Sequence, residues 1–329
     1  MRRPLRPAAV ALAAGLVTLA GCGSGDDPAD PAAGTGDAAA GGPVEAADWT
    51  GETVALDAPA ERVVCLDGTC IDALTELELE PVASLQIDQV RHEYFLGPGA
   101  ATEPLDGSYF EPSIEGIVAA TPDLVVGSAS VHGGLRDALG DIPFFGVELS
   151  SDEDAVDNLE RLAELTGRQD RAAAAIERYR ATLEAYGPGA RATTVLSMYG
   201  GATDDIGIDA LDSAIGRLLA RYTAYPWPAG EAGGGFLEIG LEDIVAVDPE
   251  HVFVLDFGFD PDAEPLVEQL AREPIWGSLR AVAAGDVHVV DSAWWGTTAG
   301  TRGQQLYLDV VLPAVYPDEF PEPLGIAAP

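Results

Sequence analysis

The chain has 329 residues, enough for two domains of ordinary size, and its 55 acidic residues outnumber its 17 basic ones to give a net charge of −38. A surface of this sign repels nucleic acid and anionic lipid headgroups, so the composition excludes binding to either through charge attraction. Every basic residue is arginine, since the sequence contains no lysine.

Residues 1–21 predict a secretory signal peptide. Arg2, Arg3 and Arg6 form a positive start, residues 8–19 are largely apolar, and small residues precede Cys22. The apolar run is too short to span a bilayer. The ending Leu-Ala-Gly-Cys resembles a bacterial lipobox, which implies cleavage before Cys22 and a lipid anchor on it at the extracytoplasmic face of the cell membrane. An ordinary signal peptide, in which Cys22 has no role, is the alternative.

Residues 22–58 are predicted to be a disordered tether. Residues 23–48 contain almost no large apolar side chain, so they cannot bury enough surface to fold. Loss of the signal peptide removes three arginines and no acidic residue, which raises the acidic excess from 38 to 41. Anchor and tether together describe a protein held outside the membrane and reaching away from it.

The first α/β lobe is predicted over residues 59–166. An apolar strand at residues 62–66 is followed by a turn and a helix, and residues 81–85 form the next strand. This strand–helix–strand spacing favours parallel α/β units. Cys65 and Cys70 are close enough in sequence for a disulfide across a tight loop in an oxidising compartment, but the spacing does not require one.

A long amphipathic helix is predicted over residues 167–187. Ile176, Tyr179 and Leu183 recur at intervals of three or four, and a Gly-Pro-Gly sequence beginning at Gly187 ends the pattern. At about 1.5 Å per residue the helix is on the order of 27 Å long, which is enough to cross from one domain to another.

The second lobe is predicted over residues 188–329, and it repeats part of the first. At an offset of 127 residues, Glu115 meets Glu242 and Pro122 meets Pro249. A short helix, a proline and a buried strand therefore occur once on each side of the central helix, which indicates two equivalent lobes.

Two further features of the second lobe are predicted from local sequence. Residues 193–198 form a strand and residues 199–208 a loop after it. The closing helix is expected to end before Pro313, because proline lacks the backbone N–H that would continue the helix.

Five co-linear segments between residues 60 and 317 carry a family resemblance. They are RVVCLDGTCIDALTELELEPVAS, SIEGIVAATPDLVVGS, LERLAELTGRQDRAAAAIERYRATLEA, LEIGLEDIVAVDPEHVFVL and EPIWGSLRAVAAGDVHVVDSAWW. Together they resemble the class III substrate-binding proteins of ABC importers, which bind iron–siderophores, haem or cobalamin. The resemblance implies two Rossmann-like α/β lobes joined by a single long interlobe helix, with the ligand held in the cleft between the lobes.

The resemblance also implies a function and partners. It implies a monomeric binding protein without a cofactor of its own, which captures a ferric siderophore and delivers it to a dimeric ABC permease. In this family an acidic residue on each lobe docks onto arginines of the membrane permease, and by position in the repeat these acidic residues correspond to Glu115 and Glu242. Haem or cobalamin as the ligand, and a sensor lipoprotein that is not coupled to transport, stay open as alternatives.

The ligand site is expected at the loops after the carboxyl ends of the parallel strands. These loops are rich in aromatic rings and contribute two arginines, which suits a chelate with apolar arms and oxygen atoms. One of the two adjacent tryptophans is expected to face the cleft. The predicted ligand-binding residues are Arg91, Tyr94, Tyr109, His132, Tyr199, Tyr225, Trp227, Trp294, Trp295 and Arg302.

The sequence disfavours both direct metal binding and catalysis. His92 and His132 lack a nearby set of carboxylates, so an already chelated metal fits better than a bare ion, and His251 and His288 are expected to be structural. The sequence has no HExxH, GxSxG, P-loop or strand-linked GxGxxG motif. We therefore expect a binding protein that performs no reaction.

Overall fold

The computed structural model describes residues 41–189, 191–230, 236–256, 264–297 and 299–326. The predicted signal peptide, the predicted lipidation site Cys22 and the first part of the predicted tether lie outside the described residues. Within the described ranges, no helix is both long enough and apolar enough to cross a membrane. The strands form one two-stranded sheet and two five-stranded sheets.

Strands and helices alternate through most of the described chain, as parallel α/β units require. The strands are β1 (Val44–Ala47), β2 (Thr53–Leu56), β3 (Val63–Cys65), β4 (Ala83–Ser84), β5 (Glu103–Pro104), β6 (Leu124–Ser128), β7 (Phe144–Val147), β8 (Val195–Ala202), β9 (Asp205–Asp209), β10 (Phe236–Glu238), β11 (His251–Asp256) and β12 (Val287–Val290). The helices are α1 (Gly68–Glu76), α2 (Ile87–Arg91), α3 (Ile114–Ala119), α4 (Ala129–His132), α5 (Arg136–Leu139), α6 (Asp152–Thr166), α7 (Gln169–Ala185), α8 (Ala214–Tyr222), α9 (Leu241–Val247), α10 (Leu266–Leu270), α11 (Arg280–Ala284) and α12 (Thr301–Val315).

The first lobe is built on a parallel sheet in the order β5-β4-β3-β6-β7. Every residue of β3 and β6 is buried, and such short apolar runs are typical of parallel strands covered by helices on both faces. Val64 pairs with Val125 and Cys65 with Val126, so the parallel strands β3 and β6 have their carboxyl ends at the same edge of the sheet.

The second lobe is built on a mixed sheet in the order β10-β9-β8-β11-β12. Strands β8, β11 and β12 are parallel, whereas β9 and β10 run antiparallel to their neighbours. The predicted loop at residues 199–208 is wrong, because β8 continues to Ala202 and turns directly into β9. Gly200 permits this hairpin: its φ is +157°, and a Cβ there would lie 2.2 Å from the carbonyl oxygen of Asp205.

Helix α7 connects the two lobes. It has 17 residues and is about 25 Å long. Two glycines with left-handed backbone conformation flank α7. Gly167, with φ +68°, ends the preceding helix α6, and Gly187, with φ +60°, follows the end of α7. Its buried face packs on α6 and α12, where the Tyr179 hydroxyl donates to Oε1 of Gln304 at 2.7 Å. Two α/β lobes joined by one long helix confirm the predicted fold class.

Helix α12 links the second lobe back to the first. The backbone N–H groups of Arg302 and Gly303, in its first turn, donate to the carboxylate of Asp72 on α1 at 3.1 and 2.6 Å. A buried carboxylate at this position satisfies N–H groups that have no partner within the helix. The two lobes are therefore held together by α12 as well as by α7.

The prediction that the closing helix ends before Pro313 is wrong, because α12 continues to Val315. Proline inside a helix removes one backbone hydrogen bond and costs about 3 kcal/mol. Burial of Leu312 and Val315 in the core offsets this cost, since each apolar side chain contributes about 1.5–3 kcal/mol when it is fully buried.

The predicted tether at residues 22–58 extends too far, because part of it is folded. Strands β1 and β2 form an antiparallel hairpin that packs on α6 and buries Val54 and Leu56. Asp48, directly after β1, is 1% exposed and forms an ion pair with Arg136. This hairpin was hard to predict because β1 contributes only one valine among small and acidic residues.

The internal repeat at an offset of 127 residues is confirmed. Helix α3 and strand β6 of the first lobe correspond in position to α9 and β11 of the second. The turn between helix and strand contains a non-glycine residue with positive φ in both lobes, Thr121 at +46° and Asp248 at +50°. Such a conformation is uncommon outside glycine, so its occurrence at two matched positions is a structural signature of the repeat.

Candidate functional site

The strand ends of the two lobes meet at one junction. Gly68 is the first residue of α1, directly after the turn from β3, and the loop from β12 to α12 contains Thr297. These segments are so close that a Cβ on Gly68 would lie 2.1 Å from the carbonyl oxygen of Thr297. Gln89 joins them, because its Nε2 donates to the Gly68 carbonyl at 3.1 Å and its Oε1 accepts from the Thr297 hydroxyl at 3.2 Å. Since ligands of parallel α/β folds bind at the carboxyl ends of strands, this junction marks the candidate site.

Asp67 lies at the first lobe's edge of the junction. Its carboxylate accepts from the N–H of Thr69 at 2.7 Å and from the Tyr109 hydroxyl at 3.1 Å. Burial raises the pKa of Asp67, although both donors act in the opposite direction. A disulfide between Cys65 and Cys70, which the sequence allowed without requiring, closes around this turn. The disulfide and the hydrogen bond from the N–H of Thr69 restrict the position of the buried Asp67 carboxyl group at the strand ends.

His132 is placed differently from the prediction that it contacts ligand, because its ring is completely buried. The N–H of Ser128 donates to Nδ1 at 3.0 Å, so Nε2 carries the proton and donates to the carbonyl oxygen of Tyr109 at 2.7 Å. The cause is local. Helix α4 follows β6 without a loop and places the ring over Gly127, where a Cβ would lie 2.8 Å from Nδ1. His132 thus supports Tyr109 from behind.

Tyr109 and Phe110 form the aromatic part of this edge. The Tyr109 ring is half-buried and meets the His132 ring edge to face, with centroids 5.0 Å apart. Phe110 packs edge-on against Tyr109 and is 61% exposed. The predicted ligand-binding set included Tyr109 but omitted Phe110, although both residues belong to the loop after β5. An exposed ring beside polar groups is available to an apolar arm of a ligand.

A serine–carboxylate group joins the ends of β6 and β7. Oε1 of Glu148 accepts from the Ser128 hydroxyl at 2.8 Å and from the N–H of Ser130 at 2.7 Å. The two serine hydroxyl oxygens are 3.0 Å apart. The sequence indicates Ser128 as a residue at a strand end, but the prediction missed Ser130 and Glu148, although the position of Glu148 directly after a buried strand was the available signal.

Tyr199 lies near the strand ends of the second lobe but is folded onto its own hairpin. Its ring covers Gly207, where a Cβ would lie 2.3 Å from the ring, and its hydroxyl is 3.4 Å from the carbonyl oxygen of Ile208. Burial, and to a smaller extent the charge of Asp209, raises the pKa of Tyr199, so its hydroxyl stays protonated. A ligand role for this half-buried residue stays a prediction.

Tyr225 and Trp227 lie at the wrong edge of the sheet for ligand contact, which corrects the prediction for both. The chain after α8 pairs with the segment just before β8, so it has returned to the amino ends of the strands. The indole N–H of Trp227 donates to the carbonyl of Val195 at 2.9 Å, and the Tyr225 hydroxyl donates to the carbonyl of Asp209 at 2.7 Å. Both side chains are buried in the second lobe.

Trp294 and Trp295 are both buried; Trp294 borders a pocket that Tyr94 of the first lobe also lines, and the expectation that one of the two tryptophans faces the cleft stays a prediction. They are 2% and 1% exposed. The loop after β12 folds into the space between the sheet and α12, where Trp295 packs parallel to Phe253 and lies 4.2 Å from Tyr307 between ring centroids. Trp294 meets Tyr94 of the first lobe edge-on, with centroids 6.3 Å apart.

The two arginines predicted for the cleft are also engaged elsewhere. Arg91, at the end of α2, donates to the carbonyl of Thr102 at 3.3 Å, next to the amino end of β5. Arg302 forms an ion pair with Glu76 at 2.9 Å and donates to the carbonyl of Tyr94 at 2.7 Å. Helix α2 leads Arg91 away from the strand ends, and α12 holds Arg302 beside α1. Tyr94 therefore lies on a seam between the lobes.

The loops at the strand ends are acidic. By sequence, the segments that run from a parallel strand to the next helix contain no arginine; they are residues 66–67, 85–86, 105–113, 148–151, 257–265 and 291–300. Carboxylates lie one or two positions after the ends of β3, β5, β7 and β12, and these residues are Asp67, Asp106, Glu148 and Asp291. The sign of the charge at the candidate site is therefore opposite to the one expected from Arg91 and Arg302.

Glu115 and Glu242 occupy matched positions on the outer surface. Each is exposed and lies in the first turn of its helix, α3 in the first lobe and α9 in the second. Helix N-termini favour carboxylates, so the positions are electrostatically suitable for acidic residues whether or not they have a partner.

Comparison with known proteins gives concordant similarities. Residues 63–293 match the periplasmic binding protein family, Peripla_BP_2. The chain is 25% identical over 253 residues to the Fe(3+) dicitrate-binding periplasmic protein FecB of Escherichia coli K12, covering 75% of this chain and 82% of that protein. It is 23% identical over 278 residues to the Fe(3+)-citrate-binding protein YfmC of Bacillus subtilis, covering 82% and 85%.

A solved structure shares the fold. The triscatecholate siderophore-binding protein FeuA of Bacillus subtilis, crystallised with ferri-bacillibactin, superposes with a TM-score of 0.66 at 21% identity. The match covers 82% of this chain and 97% of that chain. The similarity therefore extends across both lobes and the helix between them.

Proposed function

Because the chain belongs to the periplasmic binding protein family, we propose that it captures a ferric siderophore between its lobes and delivers it to an ABC permease. The observation that carries this proposal is the junction at Gly68 and Thr297, where the strand ends of both lobes meet beside Asp67 and an exposed aromatic ring. Capture and release require no reaction, in agreement with the binding role named for FecB, YfmC and FeuA.

The negative charge at the strand ends limits the class of chelate that can bind. FecB and YfmC are named for ferric citrate, whose complexes are anionic, and an anion would meet carboxylates and no arginine in the loops of this site. A neutral or cationic chelate, such as a ferric trihydroxamate, avoids this repulsion. Its apolar linkers would contact Phe110 and Tyr109, while serine hydroxyls at the end of β6 are suited to carbonyl oxygens. We therefore favour a trihydroxamate over citrate.

A ligand screen tests both parts of the proposal. Purified protein is titrated with a cationic ferric trihydroxamate, a ferric tricatecholate, ferric citrate, haem and cobalamin, with tryptophan fluorescence as the readout. Trp294 and Trp295 belong to the loop that contains Thr297, so closure on a ligand should change their emission. We expect the trihydroxamate to bind with micromolar or tighter affinity and citrate at least about tenfold more weakly, a difference of about 1.4 kcal/mol.

The outcomes separate the function from the ligand class. If none of the five compounds binds, the importer function is refuted. If citrate binds most tightly, the charge argument fails while the function stands. Tightest binding of haem or cobalamin would replace the siderophore with the alternative ligand of the same fold.

Delivery to a permease is the second part of the proposal. Glu115 and Glu242 are exposed at equivalent positions on the two lobes, which suits docking onto a partner that is itself a symmetric dimer. A monomeric binding protein with one acidic contact on each lobe would then present one lobe to each permease subunit. Uptake by charge-reversed variants tests this role and distinguishes it from a sensor that is not coupled to transport.

A lipid anchor would place the protein at the outer face of the cell membrane. The lipobox-like sequence before Cys22 supports diacylation of that cysteine, and the acidic chain offers no charge attraction to an anionic bilayer. The variant Cys22→Ala should shift the protein from the membrane fraction to the soluble fraction, as followed by immunoblotting. Retention of the variant in the membrane fraction would refute the anchor.

A further inference from the structure

Three side chains capable of binding a metal gather on the second lobe, away from the junction of the strand ends. His251 begins β11, and His288 lies in β12 opposite Phe253, so both imidazoles project from the same face of the sheet. Asp286 immediately precedes β12, and its carbonyl accepts from the N–H of Val252 at 3.0 Å. One ligand atom from each of these three residues lies within 4.8 Å of the others.

We infer that His251, Asp286 and His288 bind a divalent transition-metal ion of the zinc, nickel or copper type. Two imidazole nitrogens and one carboxylate oxygen form a three-ligand set that leaves an open position for water. Two nitrogens that bind one tetrahedral zinc ion at about 2.0–2.1 Å are roughly 3.3 Å apart. Nδ1 of His251 and Nε2 of His288 are separated by 3.3 Å. Imidazole nitrogens favour zinc, nickel and copper over hard cations such as magnesium and calcium, which prefer ligand sets made of oxygen alone.

The present arrangement of the rings shows how an ion would enter. The two imidazole planes are nearly parallel, 11° apart, with centroids separated by 5.6 Å, and one ring N–H can donate to the other ring nitrogen. A metal ion would replace that proton, and the rings would turn until both lone pairs converge on it. All three side chains are partly exposed, and His288 borders a pocket between β12 and α12, so solvent ions can reach the pair.

The other two histidines of the chain have partners outside this cluster. The sequence has four histidines in all. His132 is buried with both ring nitrogens in hydrogen bonds, and His92 pairs with Asp291 at 3.2 Å. A bound ion would connect β12, the edge strand of the second sheet, to β11 through side chains. The ion would thus stabilise the second lobe, independently of the siderophore.

The test uses the mature chain and the metal chlorides themselves. Isothermal titration with zinc chloride should show one ion bound per chain, and cobalt chloride should give the visible d–d bands of a tetrahedral nitrogen and oxygen site. Loss of an outer partner of a metal ligand already weakens binding by about 10–100-fold, so His288→Gln or His251→Gln should weaken zinc binding by at least about tenfold. Asp286→Asn should do the same.

The matched control is His92→Gln, which removes a histidine outside the cluster and should leave zinc binding unchanged. Circular dichroism checks that each variant is folded, and the separate substitutions at positions 251, 286 and 288 keep the test valid if one of them unfolds. The inference is overturned if the wild-type chain binds none of zinc, nickel or copper. It is equally overturned if the folded variants at positions 251 and 288 bind zinc as the wild type does, since the ion would then reside on other surface carboxylates.

Discussion

The two lobes share one helix–turn–strand unit and differ in the loops after their strands. In each lobe a carboxylate two residues after the positive-φ turn residue reaches back to the start of the central strand. Asp123 accepts from the N–H groups of Glu61 and Arg62 at 2.9 and 3.0 Å, just before β3. Glu250, its counterpart, accepts from the N–H of Thr194 at 2.8 Å, just before β8. The repeat therefore preserves a side-chain-to-backbone interaction as well as a hydrophobic pattern.

The positive-φ turn is also stabilised in the same way in the two lobes, by arginines from different parts of the chain. The Nε–H of Arg62, directly before β3, donates to the carbonyl of Thr121 at 2.8 Å. In the second lobe Arg280, at the start of α11, donates from Nε to the carbonyl of Asp248. In both lobes the carbonyl oxygen of the positive-φ residue thus accepts a hydrogen bond from an arginine guanidinium. Because the two arginines come from unrelated segments, we attribute this hydrogen bond to the conformation of the turn.

The strand ends show the difference between the lobes. The first lobe ends in a polar edge at which Phe110 is exposed, Tyr109 and Glu148 are partly buried and Asp67 is buried. In the described part of the second lobe, the loop between β12 and α12 instead places the rings of Trp294 and Trp295 in the core. The shared unit thus determines the fold, whereas the loops determine which side chains are exposed at the strand ends, and we propose that the first lobe supplies most of the ligand contacts. Substitutions in the two lobes should therefore have different consequences.

Charge reversal tests whether the matched helices α3 and α9 act as one docking pair. The double variant Glu115→Arg with Glu242→Arg should abolish uptake of a radiolabelled ferric siderophore by intact cells, because like charges would face each other at the proposed permease contact. Each single variant should keep part of the uptake. Ligand binding by the purified double variant should be unchanged, since neither side chain belongs to the residues proposed to contact the ligand.

The matched control for this experiment is Glu177→Arg, an equal charge reversal at an exposed position on α7. It should leave uptake intact. Normal uptake by the double variant would refute docking and favour the sensor function, and loss of uptake in only one single variant would show that the two lobes contribute unequally.

Trp295 tests whether the second lobe's loop is a structural core element. The side chain is 1% exposed, and Trp295→Ala should lower the free energy of unfolding by about 3–5 kcal/mol, because a large cavity would remain beside Phe253 and Tyr307. Urea denaturation measures the loss. The control Trp49→Ala removes a tryptophan that is 40% exposed and should change stability by no more than about 0.5 kcal/mol. Equal effects of the two substitutions would contradict the assignment of Trp295 to the core.

Much of the fold was predictable from local signals. Gly167 and Gly187 defined the ends of α7, because left-handed residues end helices, and the 127-residue repeat predicted two lobes. The β8–β9 hairpin was missed because its turn lacks a strong signature. The continuation of α12 past Pro313 was missed because it depends on tertiary burial that local propensity does not report.

The site was less predictable, because the sequence identifies loops but not the direction of side chains. Arg302 lies just after a strand-end loop, yet its guanidinium pairs with Glu76, more than 200 residues earlier in the chain. Tyr225 follows a helix that returns to the amino ends of the strands, which only the topology reveals. Phe110 lies in the correct loop, but an apolar ring next to a tyrosine gives no local sign of whether it is buried or exposed.

Asp209 should give the second lobe a stability that falls as pH rises. Burial raises the pKa of Asp209 to about 6, although the Ser197 hydroxyl 2.7 Å away acts to lower it, and the unperturbed value is 3.8. Between these values the folded state binds more protons than the unfolded state. The contribution is therefore complete below about pH 4 and is lost as pH rises through 6, by about 3 kcal/mol in total.

The variant Asp209→Asn isolates this effect from the many other carboxylates. Its amide stays neutral at every pH, so its stability relative to the wild type should increase between pH values below 4 and above 6, as measured by urea denaturation across that range. A constant difference between the two proteins would mean that the pKa of Asp209 is the same in the folded and the unfolded chain. Asp67 is a poorer choice for this test, because its pKa is raised in the same direction but its carboxyl group belongs to the proposed ligand edge.

Phe110 should behave in the opposite way to Trp295, with the smallest effect on stability and a direct effect on binding. Because the ring is 61% exposed, Phe110→Ala should change the free energy of unfolding by no more than about 0.5 kcal/mol. Loss of its contact with the chelate should nevertheless weaken binding about tenfold in the fluorescence titration, equivalent to about 1.4 kcal/mol. Leu211→Ala removes another exposed apolar side chain, away from the strand ends, and should leave affinity unchanged. Unchanged affinity for Phe110→Ala would mean that the ligand does not use the first lobe's polar edge, and the proposed division of roles between the two lobes would then be lost.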